Sequence, residues 1–131
     1  MSVVALAVAA ALLSPVQDGH WKGRLEGGPK AAKVSFDVAR HGSRLKHFTT
    51  TVAARCVGPT IGTNHIAILV VAVPSTKIRA NGRFKKTHKT DGGTYRISGT
   101  LKGNRVRNGI VDVDVSTCGG HDKWTARRAR R

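Results

Sequence analysis

From Lys33 to Ala39 the chain reads KVSFDVA, with Val34, Phe36 and Val38 at every second position. A repeat of two is the signature of a β-strand with one buried face. The same repeat returns along the chain, and no stretch carries the 3.6-residue repeat of a convincing amphipathic helix. That alternation restricts the fold more than any other feature: the domain must be assembled from strands and turns.

The remaining strands follow from phase and punctuation. RHGS (40–43) is a turn. In the next run, RLKHFTTTVAARC, Leu45 falls on odd parity, whereas Phe48, Val52, Ala54 and Cys56 fall on even parity. A bulge near His47 would return both sets to one face. IAILVVAV (66–73) is apolar throughout and reads as a central strand buried on both faces, the alternative being a core helix turn. KIRANGRFK holds Asn81-Gly82, a hairpin signal. A two-residue loop would send Ile78 and Phe84 to opposite faces. A three-residue loop, Ala80-Asn81-Gly82 with Gly82 in a bulge, pairs them, so burial selects it. TDGG (90–93) is the next turn. Tyr95, Ile97 and Leu101 then point inward, as do Val111, Val113 and Val115, while Asp112 and Asp114 point out. Trp124 and Ala126 close the core. The expectation is an all-β fold: an antiparallel β-sandwich or small β-barrel of eight or nine short strands.

At 131 residues the chain is one domain. Residues 3–13, VVALAVAAALL, are too short to span a bilayer as a helix, which takes about 20 residues. Their length suits the core of a signal peptide, although no Lys or Arg precedes the run. A buried strand or helix of the domain is the alternative. The division expected is therefore 1–17 as signal peptide or apolar segment, 18–126 as β-domain and 127–131 as a disordered basic tail. No other stretch is long and apolar enough for a membrane helix.

Cys56 and Cys118 are the two cysteines. Each is expected at a strand end before a glycine-containing loop. In an exported chain they would form one disulfide, closing a loop of about 60 residues worth roughly 4 kcal/mol in the chain-entropy model. Two cysteines without a CxxC pair make a poor zinc site.

A longer pattern runs through Gly19-His-Trp21-Lys-Gly23, Val34-Ser-Phe36-Asp-Val38, Cys56, Gly82-Arg-Phe84, Tyr95-Arg-Ile97-Ser-Gly99, Asn108-Gly109, Cys118-Gly-Gly120 and Trp124-Thr-Ala126. In that order, over about residues 19–127, it resembles secreted, β-rich single-domain proteins of high-GC bacteria. The resemblance implies fold and export, and no mechanism.

No catalytic constellation emerges. The six histidines, His20, His41, His47, His65, His88 and His121, sit in no HExxH-type motif, and most are expected in turns or at strand ends. No serine lies in a G-x-S-x-G elbow. Asp112 and Asp114 share a strand face and could bind Ca²⁺ or act as an acid–base pair; the plainer reading is a solvated face, or pairing with Arg96 or Lys102. Glycines in EGGP, DGG and CGGH read as turns. No catalytic, cofactor or metal site is expected.

Charge carries the functional reading. Twenty-three Lys and Arg face seven acids, a net charge of +16, and such a field draws in polyanions. Lys77, Arg79, Arg83, Lys85, Lys86 and Lys89 form one basic run; Arg127, Arg128, Arg130 and Arg131 form a second at the C-terminus. If hairpin and tail lie together they make one polyanion-binding surface. The reading is a secreted, monomeric, non-catalytic β-domain of the cell envelope or extracellular space, whose partners are acidic polymers or anionic surfaces. A nucleic-acid-binding protein is the alternative, with non-specific binding, and a hydrolase of unknown substrate a further one. Trp21, Phe36, Phe84, Tyr95 and Trp124 fall on inward phases, which leaves few rings for stacking on bases.

Overall fold

The computed structural model describes residues 17–27, 32–58 and 64–129. The signal-peptide expectation therefore lies almost wholly outside the described residues, as do Arg130 and Arg131. Nine strands form among the described residues: β1 (Gly19–Leu25), β2 (Lys33–Ala39), β3 (Arg44–Cys56), β4 (His65–Val73), β5 (Thr76–Lys77), β6 (Arg83–Thr90), β7 (Gly93–Lys102), β8 (Arg105–Val115) and β9 (Cys118–Arg128). All pairings among the described residues are antiparallel, in the order β4-β3-β2-β1-β9-β8-β7-β6, with β5 on β3. A further short pairing, Arg55 with Gly119 and Cys56 with Cys118, joins β3 to β9 and closes a small barrel with extra strands. No helix of the described residues is long and apolar enough to cross a membrane.

The Cys56–Cys118 disulfide sits at that closure. The β3–β9 ladder is only two residue pairs long, so the covalent bond holds what hydrogen bonds alone would hold weakly.

The alternating residues meet in one core. Trp21, Phe36, Phe48 and Trp124 are at most 1% exposed. Trp21 stacks on Phe36 at 5.6 Å, and Trp124 lies 5.8 Å from Phe36, 5.3 Å from Phe48 and 6.0 Å from Phe84. Trp124 thereby joins β9 to β2, β3 and β6 through one ring. Its indole nitrogen is the one buried side-chain polar atom without a hydrogen-bond partner among the described residues.

The bulge near His47 is present. Asp37 faces Lys46 and Ser35 faces Thr49, so His47 and Phe48 together oppose Phe36. His47 takes φ 58°, and the extra residue restores Leu45 and Phe48 to the same buried face. A second bulge was not anticipated. In β8, Arg105 pairs with Arg127 but Gly109 with Trp124, and Asn108 takes φ 54°. It keeps both Val106 and Gly109 inward, and leaves Arg107 and Asn108 adjacent and exposed.

The hairpin loop is the three-residue one. Arg79 N–H donates to Arg83 O at 2.9 Å, Gly82 N–H to Arg79 O at 2.8 Å, and Gly82 takes φ 84°. Ile78 and Phe84 are both buried. Beyond the loop the two arms part: β5 pairs with β3, and β6 with β7.

Three expectations are corrected. The run 66–73 is not a central strand buried on both faces: among the described residues β4 lies at the end of the sheet order and pairs only with β3. Val71 and Val73 are buried, whereas Ile66, Ile68 and Val70 are 57–69% exposed. A strand that is apolar throughout shows no phase, so the sequence cannot reveal that one face lacks a covering layer. Gly119 and Gly120 do not form a turn. The turn is Ser116-Thr117, with Val115 opposite Cys118, so Cys118 opens β9 rather than ending a strand. Gly120 is instead a close approach, since a Cβ there would stand 2.9 Å from Val52 Cγ1. Finally, β9 runs past Ala126 to Arg128, so Arg127 and Arg128 belong to the domain rather than to a tail. Arg128 pairs with Trp21, and its Nε donates to Asp18 O at 2.7 Å.

Candidate polyanion-binding surface

The basic hairpin residues gather because of the turn just described. Its bulge turns β6 so that Phe84 points in while Arg83 and Lys85 point out. An open hollow of about 710 Å³ forms between this strand, β5 and the start of β3. Arg44, Lys77, Arg79, Arg83, Lys85 and Lys86 supply its charge, and Ser75, Ser98, Thr100 and Asn108 supply neutral polar groups. No acid lines it. Arg44 and Lys77 face one another across the β3–β5 ladder. Lys89, at the far end of β6, is exposed and does not line the hollow.

Among the described residues, neither Arg127 nor Arg128 lines the hairpin hollow. Arg127 lines a second one, of about 870 Å³, with Lys22, Arg24, Lys33, Arg105 and Arg107. Among the described residues this hollow also has no acid in its lining. Three like-charged pairs stand directly opposed in it: Arg105 with Arg127, Arg127 with Lys22, and Arg24 with Lys33. Opposed like charges destabilise a ladder, and an anion bound between them relieves that cost. Sequence reasoning missed Lys22, Arg24, Lys33, Arg44, Arg105 and Arg107. The outward phase of each strand marks several of them, but only the pairing of distant strands brings them together.

Every ion pair among the described residues joins a histidine to an aspartate. None engages a Lys or Arg, so the cationic field is left uncompensated. Asp37 lies between His20 Nδ1 and His47 Nδ1, each at 2.8 Å. Hydrogen bonds from His20, then His47, hold its carboxyl below the ordinary value for an aspartate. His121 pairs with Asp112 from the neighbouring strand. Asp112 takes His121 rather than the expected Arg96 or Lys102, although Arg96 faces it on β7, and Asp114 is exposed. His20, His47, His88 and His121 lie within strands, not in turns. No group of three metal-ligating side chains occurs among the described residues.

The five rings read as inward do pack inward. Trp21, Phe36, Phe84 and Trp124 are buried, and Tyr95 is half-buried against the core. No protein-family model, no curated protein and no solved structure matches this chain.

Proposed function

We propose that this chain is a secreted, non-catalytic β-domain that works at the cell envelope or outside the cell and holds acidic polymers in its basic hollows. The observation that carries the reading is the hairpin hollow, with six cationic side chains and no acid in its lining. A disulfide closing the barrel suits an oxidising compartment. Binding is electrostatic and indifferent to sequence, because the aromatic rings that would stack on bases are packed inside.

The test is affinity for soluble heparin across a salt series, together with the location of the protein in a fractionated culture. Binding is expected at low salt, falling steeply toward physiological salt, with the protein in the medium or envelope. Arg83→Glu with Lys85→Glu is expected to weaken binding at least tenfold while leaving the melting temperature nearly unchanged, since both side chains are exposed. Absence of binding at low salt would mean that the charge serves solubility alone. A cytoplasmic protein that binds one nucleic-acid sequence tightly at high salt would replace this reading with the nucleic-acid one.

A further inference from the structure

A basic hollow alone suits any polyanion, but the one walled by β1, β2, β8 and β9 has an unusual neighbour. On the outer face of β4, Ile66, Ile68 and Val70 are 67%, 57% and 69% exposed. The run 66–73 contains no charged residue. Val70 faces Thr51 and Ile68 faces Ala53 on β3. A shallow hollow of about 230 Å³ is lined by Val70, Thr51, Thr49, Ser35 and Lys33. Lys33 is also a wall of the 870 Å³ basic hollow. Level with Val70 the outer face therefore grades from aliphatic on β4, through hydroxyls on β3 and β2, to cationic on β2 and β1; at one end of the stripe Arg55 stands opposite Ile66, and the one acid in phase with Lys33 on β2, Asp37, is paired with His20 and His47. Three strand steps separate its two ends, about 15 Å.

We infer that this face docks on an anionic lipid bilayer. The aliphatic side chains of β4 enter the acyl–headgroup boundary, while Lys33, Lys22 and Arg24 meet the lipid phosphates. A soluble polyanion gains nothing from three bare aliphatic side chains. A membrane surface uses both ends at once, because apolar insertion and attraction to anionic headgroups add. Each cation near such a surface strengthens binding about fivefold. Cation and apolar stripe share one face, so they are presented together. The inference uses neither β5 nor β6 and stands apart from the hairpin hollow.

The experiment is co-sedimentation of the full chain with phosphatidylglycerol vesicles and with phosphatidylcholine vesicles, beside heparin binding on the same samples. The expected result is partition onto phosphatidylglycerol at least tenfold above phosphatidylcholine. The triple variant Ile66→Thr, Ile68→Thr and Val70→Thr keeps the β-branched shape. It is expected to lose tenfold or more of that partition with heparin binding unchanged. Lys22→Glu with Lys33→Glu is expected to lose a similar factor by removing the headgroup contacts. Equal partition onto both lipids, or an unchanged partition of the threonine variant, overturns the inference. Should the threonine variant fail to fold, the charge-reversal variant decides alone: undiminished partition overturns the inference. Preferential partition onto phosphatidylglycerol without heparin binding would support this inference and count against the soluble-polymer reading.

Discussion

Replacing Trp124 separates two contributions that its position combines. The ring is 1% exposed and touches Phe36, Phe48 and Phe84. Trp124→Ala removes the hub of that cluster and is expected to cost about 3–5 kcal/mol. A domain of this size has about 5–15 kcal/mol in all, so much of the stability goes with it. Trp124→Phe is different. It keeps an aromatic ring and gives up about 40 Å³, a cavity cost of roughly 1 kcal/mol at about 24 cal/mol per Å³, and the lost transfer of the removed atoms adds up to about 1 kcal/mol more. It also deletes the buried indole N–H that has no partner, and leaving such a group unpaired costs about 1–3 kcal/mol. The two effects oppose each other, and the phenylalanine variant is expected to range from about 1 kcal/mol less stable to about 2 kcal/mol more stable than the parent. Urea unfolding followed by the fluorescence of Trp21, which remains in the same core, measures both variants. A phenylalanine variant that loses 3 kcal/mol or more would refute the reasoning, because the indole N–H would then be bonded in solution.

Three further outcomes are expected. Thiol titration of the unfolded, unreduced protein should find no free thiol, and reduction should lower the stability by about 4 kcal/mol in a urea melt. Asp37 has its pKa lowered in the folded state, so its contribution is present above about pH 4 and is lost as pH falls through the folded value. Acid melts should therefore be less steep below about pH 4 in Asp37→Asn than in the parent, and identical slopes would remove the histidine pair from the account. Gly109→Ala would put a Cβ 2.4 Å from Trp124 O and 2.7 Å from its ring. Thermal melting should show a loss of about 1–3 kcal/mol, and an unchanged melt would mean that β8 and β9 move apart easily.

Much of this fold was legible because burial leaves a phase in the sequence. The parity change between Leu45 and Phe48 located the bulge at His47, and the need to bury both Ile78 and Phe84 chose the loop. Where phase is missing, the reading failed. The apolar run of β4 gives no hint of which face another layer covers, and Gly119-Gly120 serves a close approach that looks like turn chemistry in one dimension. The candidate site divides the same way. Lys77, Arg79, Arg83, Lys85 and Lys86 are near neighbours in sequence and were found as a run. Lys22, Lys33, Arg105 and Arg127 meet only because β1 lies between β2 and β9, with β8 beyond β9. No local pattern encodes that order.

The bridge between Cys56 and Cys118 spans 62 positions and encloses β4 through β8. A protease that cuts the backbone once inside this interval produces two chains that remain one molecule. Each fragment carries one half-cystine, and the new ends are held at the high effective concentration of a tether. Such a nicked domain should keep its core, migrate as a single species without reductant and separate into two bands with it. Were the protein to meet extracellular proteases, as the proposed function implies, the cross-link would turn an otherwise destructive cut into a silent one.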